Sequence, residues 1–132
     1  MALIQTTVTL LATDVKDLHT IPMTLIAAQG LGKTIAVVLC IPKMVAGLVP
    51  YAGGCPLKAR YIGTDEIAFE FTHYLMTTGA SLSRSKAIYP KSDCYCDVLQ
   101  SDLSDKGIEL TVEEAFTLGT GILTLDIWYV VN

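Results

Sequence analysis

The segment most suggestive of chemistry is Gly30-Leu31-Gly32-Lys33-Thr34. Its Gly-Lys-Thr resembles the end of a Walker A loop, in which backbone amides surround the phosphates of a nucleotide. Such a loop also needs a glycine five positions before Gly32, where this chain has Ala27, and a helix directly after it. The residues that follow are β-branched. We therefore interpret the segment as a turn between two strands, without a nucleotide site.

Metal ligation is the second chemistry to consider. The chain has four cysteines and two histidines, namely Cys40, Cys55, Cys94, Cys96, His19 and His73. Structural zinc sites usually show Cys-x2–4-Cys or His-x3–5-His spacing, and Cys94-x-Cys96 is one residue tighter. In a strand these two thiols would point to the same side, which leaves a metal site or a disulfide open for this pair. Cys40 lies in an apolar run and is predicted to be a core residue.

No catalytic arrangement is recognisable. The chain lacks a Gly-x-Ser-x-Gly elbow and a His-Glu-x-x-His helix. His19 and His73 are predicted to be surface or packing residues. The clustered carboxylates do not follow the spacing of an EF-hand and are interpreted as a solvated acidic loop; they are Asp93, Asp97, Asp102 and Asp105. We predict no enzyme activity, no cofactor and no metal.

Apolar and polar residues alternate with a period of two along most of the chain, which is typical of half-buried strands. The pattern predicts one domain over residues 1–132 with an all-β fold, an antiparallel β-sandwich or jelly roll with one short helical turn. The turn is expected at residues 14–18 with Thr13 as N-cap. Residues 73–106 show no sustained period and are predicted to be loops with short strands. The expected strands are 4–10, 23–27, a run ending at Ile41, a hairpin of 57–61 with 67–71, 108–112 and 122–131.

Composition indicates a need for partners. Hydrophobic residues make up 52% of the chain and charged residues 17%, below the usual quarter of a soluble domain. The surplus apolar surface could face a membrane or other proteins. Residues 34–57 are apolar, but Pro42, Pro50 and Pro56 disfavour a spanning helix, and no secretory signal is visible. The net charge is −4 without a basic cluster, so neither membrane nor nucleic acid is expected as a partner.

The last strand has large apolar residues on both faces and should be central, or covered by a neighbouring subunit. Ile122, Trp128 and Val130 share one face. On an outer surface they would form an apolar interface patch; alternatively, a second sheet covers them within the monomer. Tyr51 is added as an interface candidate because Tyr51-Ala52-Gly53-Gly54 is predicted to be an exposed loop.

Four segments together resemble small structural proteins of tailed bacteriophages and prophages. They are Leu18-His19-Thr20-Ile21-Pro22, Gly30-Leu31-Gly32-Lys33, Tyr51-Ala52-Gly53-Gly54, and Gly119-Thr120-Gly121 before Trp128-Tyr129. The four cysteines and residues 73–106 depart from the pattern.

The resemblance implies a virion protein with a sandwich or jelly-roll fold, similar to the decoration or cement proteins that bind the outside of a capsid. The implied partners are the major capsid protein and copies of the chain itself as a dimer or trimer. The expected location is the virion after synthesis in the host cytoplasm. A tail, baseplate or fibre component is the first alternative. A glycan or small-ligand module is the second, and it would require a concave patch of exposed aromatics among Tyr51, Tyr61, Tyr74, Tyr89 and Tyr95.

Overall fold

The computed structural model describes residues 2–77, the backbone of 84–85, and residues 103–132. Strands dominate these residues, as the alternating pattern predicts. The strands are β1 (Ile4–Leu10), β2 (Met23–Ile26), β3 (Ile35–Val45), β4 (Tyr51–Gly53), β5 (Leu57–Tyr61), β6 (Ile67–Phe71), β7 (Arg84–Ser85), β8 (Ile108–Thr111), β9 (Phe116–Leu118) and β10 (Ile122–Val131). The helices are α1 (Ala12–Asp17) and α2 (Tyr74–Thr77).

Two four-stranded sheets form a sandwich, with strand orders β1-β10-β3-β7 and β2-β8-β5-β6, and β4 pairs with β9 in a separate ribbon. All pairs are antiparallel. Setting the ribbon aside, the first strand pairs with the last (β1–β10), the second with the seventh (β2–β8), the third with the sixth (β3–β7) and the fourth with the fifth (β5–β6). This nested pairing is that of a jelly roll. This topology confirms the predicted all-β fold. Of the two predicted forms, β-sandwich or jelly roll, it is the jelly roll.

The core lies between the two sheets. Along β10, Leu123, Leu125 and Ile127 are fully buried, and from the other sheet Leu110 and Leu57 meet the same core. Successive strand residues point to opposite faces, so alternate positions supply these side chains. The Tyr61 hydroxyl in β5 donates a 2.6 Å hydrogen bond to the Ile35 carbonyl in β3, which ties the sheets together.

Strand β3 is longer than predicted. It continues past Ile41 to Val45 and includes Pro42, which lies opposite Leu125 of β10. On its other side the register with β7 covers only Lys43 and Met44. Among the described residues, no ladder partner on that side needs the N–H that proline lacks.

The hairpin of β5 and β6 is confirmed, with one correction at its start. Phe69 and Phe71 are buried as predicted, whereas Ile67 is 40% exposed and Ala68 is buried. The register shifts between Ala59, which pairs with Phe69, and Arg60, which pairs with Ile67. This bulge turns Ile67 away from the face it was predicted to share with the phenylalanines.

Helix α1 begins earlier than the predicted turn. Its N-cap is Leu11, in an extended conformation, and the Asp14 carboxylate accepts the Leu11 N–H at 3.0 Å. Thr13 therefore lies inside the helix, and its prediction as N-cap is wrong. A carboxylate at the third helical position satisfies the exposed donor in place of the N-cap side chain.

The part of the chain considered for a membrane span forms β3 and β4. Neither helix among the described residues has the length and apolar character to cross a bilayer. Within the irregular stretch 73–106, the structure adds α2 and β7; the other predicted features of residues 78–83 and 86–102, including Cys94, Cys96, Tyr89, Tyr95, Asp93, Asp97 and Asp102, lie outside the described residues.

Candidate protein–protein interaction surface

Strand β10 lies centrally, between β1 and β3, and presents different residues to its two faces. Leu123, Leu125, Ile127 and Tyr129 point into the core. Ile122, Trp128 and Val130 point the other way and remain partly or largely accessible. Two positions were predicted for Trp128 and its neighbours, on an outer surface or beneath the second sheet. The second sheet packs on the inner face, so these residues lie on the outer surface.

An apolar strip surrounds Trp128 on the β3 side of this outer face. Trp128 lies directly opposite Leu39, and the register shifts between Trp128 and Tyr129. The shift adds Val38, which is 44% exposed, to the outer surface. We call this surface the outer strip; it consists of Ala36, Val38, Leu39, Ile41, Trp128 and Val130.

The β3 members of the outer strip were missed as surface residues. Their run of apolar residues is typical of a strand buried on both faces. Only one face of this sheet is covered by the second sheet, so the same run leaves an apolar outer face.

A satisfied polar network borders the outer strip on the β1 side. Lys43 Nζ lies 2.7 Å from an Asp126 carboxylate oxygen, and Thr7 donates a 2.8 Å hydrogen bond to the other. Gln5 donates to the Thr7 hydroxyl at 2.9 Å. The hydrogen bonds from Lys43 and then Thr7 hold the pKa of Asp126 below its ordinary value. The ionised carboxylate is thus neutralised by Lys43, and the border of the strip carries no net charge.

A second apolar group lies at the end of the sandwich where β3 ends and β10 begins. Ile122 lies directly opposite Val45, and Val49 accepts a 3.0 Å hydrogen bond from the Thr120 N–H. We call this group the end cluster; it consists of Leu11, Val45, Leu48, Val49, Leu118 and Ile122. Every member is exposed, and Leu48 is 96% exposed.

Leu118 holds an unusual backbone conformation within the end cluster. Its φ is +55°, although it is not glycine, and its side chain is 64% exposed while its ladder partner Tyr51 is buried. A left-handed conformation costs a non-glycine residue roughly 1 kcal/mol or more. Residues held in this way concentrate at functional sites. Sequence alternation gave no signal for the exposure of Leu118 or for its backbone conformation.

Tyr51 is not part of any surface, and its prediction as an interface candidate is wrong. Its side chain is 2% exposed, its hydroxyl donates a 2.5 Å hydrogen bond to the Gly121 carbonyl, and its ring meets Phe116 edge-on at 5.9 Å. Burial raises the pKa of Tyr51 to about 12. The predicted exposed loop is in fact β4. The glycines that suggested a loop do make the turn, since Gly53 and Gly54 have positive φ, but the tyrosine before them fills the core.

The segment that resembles a Walker A loop is a turn before a strand, as predicted. Gly30 and Gly32 both have positive φ, and the Lys33 N–H donates to the Gly30 carbonyl at 3.0 Å. The Asp105 carboxylate accepts the Gly30 N–H at 3.1 Å. Strand β3 follows immediately. Asp105 therefore closes this turn, which gives it a structural role distinct from the predicted solvated acidic loop.

The remaining titratable candidates do not converge. Cys40 is buried in the core, as predicted, and burial together with Asp126 raises the pKa of its thiol to about 12. Cys40 and Cys55 are free thiols. The His19 Nδ1 lies 3.4 Å from the Val112 carbonyl, and the His73 ring packs on Tyr74. Over residues 2–77 and 103–132, no three His, Cys, Asp or Glu side chains gather in a metal-binding arrangement.

The outer face of the second sheet is charged. It carries a shallow depression of about 280 Å³ lined by Lys58, Arg60, Asp65, Ile67, Thr111 and Glu113. Lys58 pairs with Glu113 at 2.9 Å and Arg60 with Glu109 at 3.0 Å. No aromatic side chain is among these lining residues. Of the tyrosines predicted for a glycan site, Tyr51 and Tyr61 are buried and Tyr74 is exposed. The described residues thus do not provide the aromatic platform that the glycan alternative requires.

Comparison of the chain with protein-family models, curated proteins and solved structures gives no match. The outer strip lies on the outer face of the β1-β10-β3-β7 sheet. Val45 and Ile122 of the end cluster lie on the same face, separated from the strip by Lys43, Thr124 and Asp126. An accessible apolar area of this kind is suited to burial against another protein.

Proposed function

We propose that this chain is a structural protein of a bacteriophage particle, specifically a capsid decoration protein that stabilises the head through protein–protein contacts. The observation that carries the proposal is the outer strip around Trp128. The β1-β10-β3-β7 sheet covers the core with one face and carries large apolar side chains on the other face.

Composition and topology support the same function. The chain combines 52% hydrophobic with 17% charged residues, although its core is already filled by the inner faces of both sheets. Jelly rolls occur in viral capsid proteins and also in lectins, so the fold by itself does not assign a function. The apolar outer surface and the absence of an aromatic lining in the charged depression favour assembly over sugar binding.

The proposed mechanism is burial of the outer strip and end cluster between neighbouring capsid subunits. Each square ångström of apolar surface removed from water contributes about 25 cal/mol, minus the cost of association and side-chain ordering. Aromatic residues dominate such contacts, so Trp128 should be the anchor. A head offers the same contact at many symmetry-related positions, and a modest gain at each one adds up over the shell.

The proposal is tested by co-sedimentation with empty, expanded heads assembled from the major capsid protein encoded in the same genome. We expect the wild type to pellet with heads at a saturable stoichiometry. Trp128→Ala should weaken binding roughly tenfold or more, the effect of removing an interface anchor. Gln5→Ala is the matched control, because Gln5 lies directly opposite Trp128 on the polar side of the same face.

Two results would overturn the proposal. One is a wild-type chain that stays in the supernatant at every concentration tested. The other is equal binding by Trp128→Ala and the wild type, which would separate binding from the outer strip. Immunogold labelling of complete particles distinguishes the head from the tail. Label confined to the tail, baseplate or fibres would show that the chain is a component of that part of the virion.

A further inference from the structure

The edge strand β1 differs from the other sheet edges of the described residues. It has seven residues, Ile-Gln-Thr-Thr-Val-Thr-Leu, without a charge or a proline, and it pairs with β10 in one unbroken register. Strand β2 has four residues and a register shift, β6 has a register shift and contains Glu70, and β7 has two residues. Natural proteins protect sheet edges by shortness, bulges, charge or proline. Strand β1 has none of these protections.

The free side of β1 also leaves inner-face residues accessible. Ile4 is 37% exposed, and Thr6 and Val8 are half-buried, although all three alternate toward the core. Their neighbours across the ladder, Tyr129, Ile127 and Leu125, are buried. The sandwich is thus open along this edge, and another strand laid beside β1 would cover these side chains.

Among the described residues, the backbone of β1 has no hydrogen-bond partner on its free side. Outside the ladder with β10, none of the backbone–backbone hydrogen bonds of the described residues involves residues 4–10. One long, exposed bond of 3.3 Å runs from the Gln5 side chain to the Thr6 carbonyl. The outward side chains of Gln5 and Thr7 are hydrogen-bonded in the network with Asp126. The main-chain groups on this edge can therefore form hydrogen bonds with the backbone of another strand.

From this edge we infer that two copies of the chain pair through β1 in an antiparallel, two-fold arrangement. A register centred on Thr7 pairs the strand over its whole length. It sets Thr7 opposite its own symmetry copy, Gln5 opposite Thr9, and Thr6 opposite Val8. Each of these pairs is uncharged, and threonine pairs across strands are favourable.

Charge favours a second copy as the occupant. A chain of net charge −4 repels itself, so a contact between identical copies needs a surface without unpaired carboxylates. Strand β1 contains no charged residue, and the nearest carboxylate, Asp126, is held by Lys43 at 2.7 Å. Two-fold contacts present the same patch on both subunits, and an uncharged antiparallel strand is complementary to itself.

Pairing would have a structural consequence for the rest of the molecule. The two β1-β10-β3-β7 sheets would join into one continuous sheet, and the outer strips of both copies would lie on its same face. Main-chain hydrogen bonds supply the attraction, as in other cases of strand addition. With seven residues paired on each side, the contact is small and the dissociation constant should be about micromolar.

The test uses the full-length chain in solution without capsids, so its outcome is separate from that of the head-binding experiment. Sedimentation velocity should show a concentration-dependent monomer–dimer equilibrium. Hydrogen exchange of peptides covering residues 3–10 should slow as the dimer forms, whereas exchange in β6, another edge strand, should not depend on concentration. This second measurement needs no variant and is unaffected by folding defects.

Val8→Lys is the matching substitution, with Val8→Thr as its control. A lysine at this half-buried, inward position reaches water in the monomer but would be enclosed by a paired strand. Val8→Lys should weaken dimerisation roughly tenfold or more, and Val8→Thr should leave it within about threefold, because threonine keeps the shape and strand preference of valine.

Either of two results overturns the inference. The first is a wild-type chain that remains monomeric up to concentrations on the order of hundreds of micromolar, the range in which weak contacts form. In this result, hydrogen exchange in residues 3–10 is also independent of concentration. The second is a dimer that persists in Val8→Lys and is lost in Trp128→Ala, which would assign self-association to the outer strip.

Discussion

Both faces of β10 carry large apolar residues, but their surroundings differ. The inner face places Leu123, Leu125 and Ile127 in the core at zero exposure. The outer face, which also carries Thr124 and Asp126, leaves its three large apolar side chains partly exposed; they are Ile122, Trp128 and Val130. Both sets are large and apolar, yet the second sheet covers only one of them.

This difference separates two roles that hydrophobic residues play in one strand. The inner set stabilises the fold, because its burial is completed within the chain. The outer set is only partly buried within the chain, so the accessible part of its apolar surface remains available for contact with another molecule. Substitutions on the two faces should therefore affect different measurements.

The largest effect is expected on the inner face. Leu125→Ala should lower the free energy of unfolding by about 3 kcal/mol, because it opens a cavity between the sheets where the side chain is fully buried. Urea denaturation measures this change. A loss below about 0.5 kcal/mol would mean that the core relaxes around the missing side chain, and it would break the contrast between the faces.

Tyr51→Phe should cost about 1 to 2 kcal/mol at neutral pH. The substitution removes the hydroxyl that donates to the Gly121 carbonyl and leaves that buried acceptor without a partner. Urea denaturation beside Tyr74→Phe provides the comparison, since Tyr74 is 63% exposed and its hydroxyl is accessible to water. Equal stabilities of the two variants would show that the hydroxyl of Tyr51 adds nothing to the fold.

Alkaline pH should narrow the difference between the wild type and Tyr51→Phe. Burial raises the pKa of Tyr51 from its ordinary value of 10.0 to about 12. A group with a raised folded-state pKa contributes fully below its unfolded pKa, so the contribution of the phenol is complete below pH 10.0 and is lost as pH rises toward 12. Cys40 behaves in the same direction in both proteins and cancels in the comparison. Urea midpoints of both proteins between pH 9 and 12 would show a constant difference if Tyr51 did not titrate in this way.

Leu118→Gly should stabilise the protein by roughly 0.5 to 1 kcal/mol. Glycine adopts a φ of +55° without the steric cost that leucine carries, and the exposed side chain contributes little to the core. Thr117→Gly is the control. Thr117 is exposed and has no positive φ, so this substitution should destabilise the protein. In head binding, the same Leu118→Gly variant should bind more weakly, which would connect the strained residue to the end cluster.

A smaller loss of stability than for Leu125→Ala is expected for Trp128→Ala. We expect a loss of about 1 to 2 kcal/mol, because Trp128 is half-buried against its own sheet and is not enclosed in the core. Thermal unfolding with Leu125→Ala in the same series gives the comparison. A loss similar to that of Leu125→Ala would show that Trp128 is covered within the monomer, and it would remove the basis for the outer strip.

Sequence reasoning succeeded where local periodicity decides the outcome. The inward residues of β10 and of the hairpin around Phe69 follow from alternation, because side chains of a strand point to opposite faces by geometry. It failed at Ile67, where a bulge shifts the register, and at Tyr51, where neighbouring glycines suggested a loop. At Ile67 the pairing within the hairpin overrode the alternation, and at Tyr51 long-range contacts with Gly121 and Phe116 overrode the turn signal.

By itself, the sequence determined the all-β class, the faces of the last strand and the excess of apolar residues, since each depends on residue type and spacing along the chain. Tertiary structure decided which face of β10 is covered, because both faces carry large apolar residues and the second sheet packs on only one of them. It also decided that Tyr51 closes the core and that β1 is an open edge. Pairing between strands distant in sequence sets both outcomes, and no local pattern encodes it.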